Sequence, residues 1–279
     1  MARTMNGSDF GHFLAGFTGS RKKAFDKLAS PRGMMAALYP HMFMDTTFMF
    51  DDFTDDAINT FRWTVDGDTG TTNFAIPAAA SAVANGVITA ATAADDAEGV
   101  SIYGHPVWKG DLNCGMAIRW QVDDVTDVRI EMGFTDPLTD YTLPAVDDVD
   151  TPSISNGAVT VAVFHMDTAQ TLVTPAFVMD GDSTYATTKV TLLSPAAAAF
   201  TPVVNTWYTT VIQLSSNDMA KCWLYDTNTA GSPVLKSSAT ASAAAVEGGT
   251  LVQPWAFFGN RTTDGYTPQI DFIAAWQDR

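Results

Sequence analysis

Carboxylates are the one abundant reactive group in this chain: 31 of its 279 residues are Asp or Glu. Only Glu98, Glu131 and Glu247 are glutamates. Acid/base hydrolysis of a glycosidic bond needs two carboxyls about 5–10 Å apart, which on one strand means acids two or four residues apart. No glutamate on a clear strand has such a neighbour. Glu131 has Arg129 and Gly133 beside it, and Asp271 has no acid at those offsets. The sequence also lacks a G-x-S-x-G elbow, a G-x-x-x-x-G-K-[ST] phosphate loop and a G-x-G-x-x-G turn. His12, His41, His105 and His165 are scattered, without zinc spacing. The residues therefore indicate no enzyme.

Oxygen-rich turns are the better site hypothesis. Asp66-Gly67-Asp68 and Asp180-Gly181-Asp182-Ser183 have the chemistry to hold Ca²⁺, as do Asp123-Asp124 with Asp127 and Asp147-Asp148 with Asp150. None completes an EF-hand loop, and aspartate is also an ordinary turn residue. No cofactor is expected, with Asp66, Asp68, Asp180 and Asp182 as the candidates should Ca²⁺ bind. Among seven tryptophans, Trp63, Trp108 and Trp255 lie near turn signals, where an indole can stack on a sugar ring. Trp120, Trp207, Trp223 and Trp276 lie in strand patterns and read as core.

These residues must be positioned by strands. Charged residues make up only 16% of the chain, and Asp, Thr and Gly outweigh the helix-favouring Glu and Lys, which indicates an all-β protein with long loops. Trp207–Leu214, the turn SSND and Met219–Tyr225 read as a hairpin. Gly115–Val122, the turn DDVTD and Val128–Gly133 read as a second, with Val128, Ile130 and Met132 inward and Arg129 and Glu131 in water. Further strands are expected at 159–165, 171–178, 187–193, 255–259 and 270–276. Ala/Thr-rich stretches at 75–94, 195–201 and 237–246 interrupt them, the first a loop or a weak strand pair. Cys114 and Cys222 fall in apolar strand runs, as two buried thiols or one disulfide.

The formal charge of −16 is unevenly placed. Residues 1–32 hold six basic side chains, among them Arg21, Lys22 and Lys23, against Asp9 and Asp26, a net of +4 that leaves −20 for the rest. Ser20–Leu28 has helix formers before Pro31, and Met34–Met44 is apolar and broken by Pro40. Exposing such a segment is costly, so Met34, Met35, Leu38, Tyr39, Met42 and Phe43 are expected to lie on a partner, with Arg21, Lys22 and Lys23 docking on acidic surface. An acidic body excludes nucleic acid as its partner. No run reaches the ~18–20 apolar residues of a membrane span, and no secretory leader is visible, as for a product of the cytoplasm. The expected organisation is a basic and apolar, partly helical arm over 1–47 and a β-sandwich over 48–279.

Several segments in order resemble one family. Phe50-Asp-Asp-Phe53, Phe61-Arg-Trp63, Arg129–Asp136, Trp207-Tyr208 with Val211–Leu214 and Ala220–Asp226, Phe258-Gly-Asn260 and Ile270–Trp276 look like the strands of a concanavalin A-like (laminin-G-like) jelly roll from tailed-phage structural proteins. The resemblance runs from about Phe48 to Arg279. It implies two large antiparallel sheets and, most of all, a non-enzymatic capsid decoration (cement) protein. Such a protein is made in the host cytoplasm and sits on the virion as a homotrimer, bound to the major capsid protein through its arm. The alternative it implies is a glycan-binding tail-fibre or adhesin module that meets host-surface glycan through Trp63, Trp108 and Trp255.

Overall fold

The computed structural model describes residues 46–55, 57–77, 86–93, 99–148, 153–168, 175–181, 188–194, 200–216, 219–228, 233–241, 247–262 and 264–278. Of the expected arm, only Thr46 and Thr47 are described, and they are strand; the rest, with its helix and its contact residues Arg21, Lys22, Lys23, Met34, Met35, Leu38, Tyr39, Met42 and Phe43, lies outside these residues.

In chain order the strands are β1 (Thr46–Asp51), β2 (Thr64–Gly67), β3 (Thr72–Ala75), β4 (Ile88–Ala91), β5 (Gly99–Tyr103), β6 (Trp108–Lys109), β7 (Gly115–Val122), β8 (Val128–Thr135) and β9 (Val146–Asp148). They continue as β10 (Ser153–Ile154), β11 (Thr160–Asp167), β12 (Ala176–Gly181), β13 (Thr188–Thr191), β14 (Tyr208–Leu214), β15 (Ala220–Asp226), β16 (Val234–Thr240), β17 (Leu251–Asn260) and β18 (Pro268–Asp278). The first sheet runs β16-β15-β14-β7-β18-β4-β3, with β1 beside β18. The second runs β13-β12-β11-β8-β17-β5-β2, with β6 on β17. β9 and β10 form a separate small ladder.

Alternation explains the core. In the first sheet Met116, Ile118, Trp120, Tyr208, Ile212, Cys222 and Leu224 turn inward, and they meet Ile130, Met132, Phe134, Phe164 and Phe258 from the second. The 207–225 hairpin forms as expected, with Val211 opposite Trp223. β3 pairs with β4, so among the described residues the expected stretch 75–94 contributes Ala75 to β3 and Ile88–Ala91 to β4, and the 237–246 stretch begins inside β16.

The second expected hairpin does not form. β7 pairs with β14 and β18, whereas β8 pairs with β11 and β17, so Asp123–Asp127 carries the chain from one sheet to the other. Five residues reach about 16 Å when extended, enough to cross sheets packed ~10 Å apart. Nor is the far face of β8 wet. All eight of its residues are buried, Arg129 and Glu131 included.

A roof explains that burial. Residues 136–148 and 153–158 lie over the outer face of the second sheet, where Leu138, Val146 and Ala158 pack on Val161, Val163, Trp255 and Phe257. Tyr141 stacks on Tyr103 with ring centroids 3.7 Å apart. Its hydroxyl accepts from Gln253 Nε2 at 2.8 Å.

Cys114 and Cys222 are both free and buried. Burial pushes both thiols well above the ordinary cysteine value, with Asp111 adding to the shift at Cys114. An aromatic disulfide reagent is therefore expected to titrate neither thiol in native buffer and both after unfolding. Gly133 gives a second check. It has φ +155°, and a Cβ there would run into the Ala162 carbonyl oxygen and Ile212 Cδ1. Gly133→Ala should cost at least ~1–3 kcal/mol in denaturant melts, the usual size of backbone strain.

Candidate functional site

Beneath the roof, five charged or titratable side chains from three parts of the chain meet. On β8, Arg129 and Glu131 face outward from the core. On β11, His165 stands opposite Glu131 and Asp167 opposite Arg129. Arg261, just past β17, closes the group. Each strand places its pair at i and i+2, so both members fall on one face.

The cluster is closely bonded. Glu131 Oε1 is 3.1 Å from His165 Nδ1, and its Oε2 accepts from the Ala145 N–H at 2.8 Å. The Val146 N–H donates to Oε1 at 3.3 Å. Arg129 answers through the same strap, with its Nη2 donating to the carbonyls of Val146 and, at 3.1 Å, Asp147. Arg129 Nε lies 3.4 Å from Glu131 Oε1 and 3.6 Å from Asp167 Oδ2. Arg261 grips Asp167 through both oxygens, Nε to Oδ1 at 2.8 Å and Nη2 to Oδ2.

Burial and neighbouring charge pull in opposite directions at Asp167 and Arg129. Burial pushes the Asp167 carboxyl up, but the bonds and charge of Arg261, with Arg129 behind them, hold it below the ordinary aspartate value. Burial lowers the Arg129 guanidinium, and Glu131 opposes that shift.

Glu131 and Asp167 flank one guanidinium, each with an oxygen within 3.6 Å of Arg129 Nε, and a hydrolytic mechanism would need such a pair to face substrate. Yet both side chains are 0% exposed. Each is fully engaged, one by the roof and one by Arg261. The arrangement latches the roof onto the sheet and leaves neither a proton donor nor a carboxylate open to substrate. The sequence signal for it was R-x-E on one apolar strand and H-x-D on another, 34 residues apart at Glu131 and His165.

Five of the seven tryptophans lie otherwise than expected, whereas Trp120 and Trp276 are buried as expected. Trp63, Trp108 and Trp255 are 2%, 2% and 1% exposed, so none offers a ring face to a sugar. Trp63 Nε1 donates to Asp51 Oδ2 at 3.1 Å. Trp120 is core, as expected, but Trp223 is half-buried on the outer face of the first sheet. Trp207 is half-buried as well, under the Arg119 guanidinium at 4.5 Å. The reason is parity: Cys222 and Leu224 take the inward positions of β15, which turns Trp223 and Tyr225 outward.

The aspartate turns are used locally. Asp66 Oδ1 accepts from the Gly67 N–H, Asp124 Oδ1 from Thr126 and Asp123 Oδ1 from the Thr267 N–H. Asp68 bonds through its backbone to Gly99 and Thr71. Asp180 is buried at the end of β12, and Asp182 lies outside the described residues. Among the described residues no group of three or more His, Cys, Asp or Glu is placed to hold a metal ion.

No family model and no curated protein matches the sequence. Solved structures do match the fold. A protein of unknown function from Shewanella oneidensis MR-1 aligns over 100% of this chain and 96% of its own, with 12% identity and a TM-score of 0.52. An immunostimulatory antigen and pseudo β-1,3-glucanase of Mycobacterium tuberculosis covers 83% of this chain and 98% of its own, at 10% identity and 0.51. Winged bean acidic lectin, solved with methyl-α-D-galactose, covers 84% of this chain and 100% of its own, at 10% identity and 0.51. Two packed antiparallel sheets with these neighbours give the chain a concanavalin A-like, lectin-type jelly-roll fold.

Proposed function

We propose that this chain is a non-enzymatic structural protein of a phage virion, a decoration protein held on the capsid shell by its leader. Its partners are then the major capsid protein and further copies of itself in a homotrimer. The observation that carries this reading is the place of β1. The leader, with its net charge of +4, precedes a strand that among the described residues pairs only with β18, at the rim of the first sheet. It can leave an acidic body sideways toward a neighbour without disturbing the core. The roofed and engaged carboxylates support the non-enzymatic part of the reading.

The test is cryo-electron microscopy of virions carrying the wild-type protein or the triple variant Arg21→Glu, Lys22→Glu, Lys23→Glu. Wild-type density on the outer shell that is lost in the variant is the expected result. Full occupancy by the variant, or density confined to the tail, would overturn it. A glycan-binding module is the second reading, favoured by the fold shared with a galactose-complexed lectin. Saturable binding on a glycan array, together with shell particles that lack the protein, would establish that reading instead.

A further inference from the structure

Among the described residues one pair of tyrosines is in ring contact. Tyr103, at the end of β5, and Tyr141, in the roof, stack with centroids 3.7 Å apart and planes 9° from parallel. Both residues are half-buried, which leaves part of each open to a small solute. Tyr208 and Tyr266, by contrast, are buried, and Tyr208 packs on Trp120 and Phe200.

The two hydroxyls are held from different sides. The Tyr141 oxygen accepts from Gln253 Nε2 at 2.8 Å and from the Leu138 N–H at 3.3 Å. The Tyr103 hydroxyl shares a hydrogen bond with the Thr64 side chain on β2, and the Asp66 carboxylate is near enough to act on its charge. Burial, the Tyr141 phenol and Asp66 raise the Tyr103 hydroxyl above the ordinary tyrosine value, so this phenol keeps its proton at neutral pH. Electron loss from it is then tied to proton loss. A carboxylate nearby favours the cationic state that electron loss creates.

We propose that Tyr103 and Tyr141 are an oxidative crosslinking site, at which one-electron oxidants join β5 to the roof through a dityrosine bond. Each phenol gives one electron to the oxidant and one proton to water, leaving two tyrosyl radicals. These combine by forming one carbon–carbon bond between ring positions ortho to the oxygens. The hydrogens on those two carbons then move to the oxygens, and both rings regain aromaticity. The protein has lost two hydrogen atoms, and the oxidant has taken up two electrons. Contact decides the partner, because a radical formed in the stack already faces the ring it couples with. Bond formation asks one ring to tilt. Tyr141 lies in a turn outside the ladders, whereas Tyr103 is fixed by pairing with Trp255 and Thr64. The link fastens the roof at a second point, apart from the bonds that Glu131 makes to Ala145 and Val146. The proposal goes beyond the virion reading and does not depend on it.

The experiment uses the purified full-length protein with no shell present, oxidised by a flash of visible light with tris(bipyridine)ruthenium(II) and persulfate. A monomeric product lighter by two hydrogen atoms, with the blue fluorescence of dityrosine, is expected. Its digest should join the peptides that hold Tyr103 and Tyr141. Tyr141→Phe, which keeps a ring in the stack, should lose this product, and Tyr225→Phe should retain it. The yield should fall severalfold in urea, where the fold no longer pairs the rings. A dityrosine formed only between two copies would overturn the assignment. So would a yield unchanged by Tyr141→Phe or by urea, or tyrosine hydroxylation without a crosslink between Tyr103 and Tyr141.

Discussion

Replacing Glu131 by alanine is expected to cost the domain about 3–5 kcal/mol, the usual penalty for removing one partner of a buried ion pair. The substitution takes the charge partner from Arg129 and the acceptor from two roof N–H groups, Ala145 and Val146. Urea unfolding followed by tryptophan fluorescence measures it. Glu131→Gln, which keeps an acceptor but not the charge, should fall in between. Lys236→Ala breaks a half-buried pair with Asp226 at 3.2 Å, open to solvent on one side, and should cost only about 1 kcal/mol. If the glutamate and lysine variants melt alike, the latch is not holding the roof.

The same cluster sets an acid limit. Because Asp167 is held below the ordinary aspartate value, its contribution to stability is full above about pH 4. That contribution is lost as pH falls through the lower value the group has in the fold. In Asp167→Asn the domain should be weaker near neutrality, and its stability should fall less steeply below pH 4.

Trp120→Ala is expected to destabilise by about 3–5 kcal/mol. Its ring is fully buried against Phe164, Tyr208 and Phe258, and its Nε1 donates to Thr210 Oγ1 at 2.9 Å. Trp223→Ala should cost only ~1–2 kcal/mol, because less apolar area leaves water when a half-buried ring folds. Chemical denaturation of both variants checks the contrast, and equal losses would mean that Trp223 belongs to the sandwich interior.

That contrast also marks how far the sequence could be read. Alternation located the 207–225 hairpin and the strands around 160–165, 255–259 and 270–276, because each has one or both faces filled with apolar side chains. It did not say which face of β15 turns inward, since cysteine and leucine compete with tryptophan and tyrosine for the same role. It failed at Arg129 and Glu131 for a related reason. Alternating charge on a strand normally means water, and only the roof of residues 136–148 and 153–158, which folds back over β8 directly after it, reverses that meaning. The Asp123–Asp127 turn looked local because hairpins and sheet-to-sheet crossings use the same turn residues. The latch itself joins strands through pairings such as Glu131 with His165, which no local pattern encodes.

The strand order has a consequence for the making of the protein. β18 lies between β7 on one side and β4 and β1 on the other, and β17 lies between β8 and β5. Both central strands are synthesised after every strand they join. A nascent chain that already carries β1 to β16 therefore has neither sheet closed, and the open edges of β7 and β8 are free to pair with the wrong neighbour. Folding must wait for synthesis, and such long-range pairing is slow. Loss of residues 251–278 removes the centre of both layers at once, whereas loss of β1 removes a rim. During expression the chain should depend on chaperones until β18 is released, and partial products should aggregate rather than persist as smaller domains.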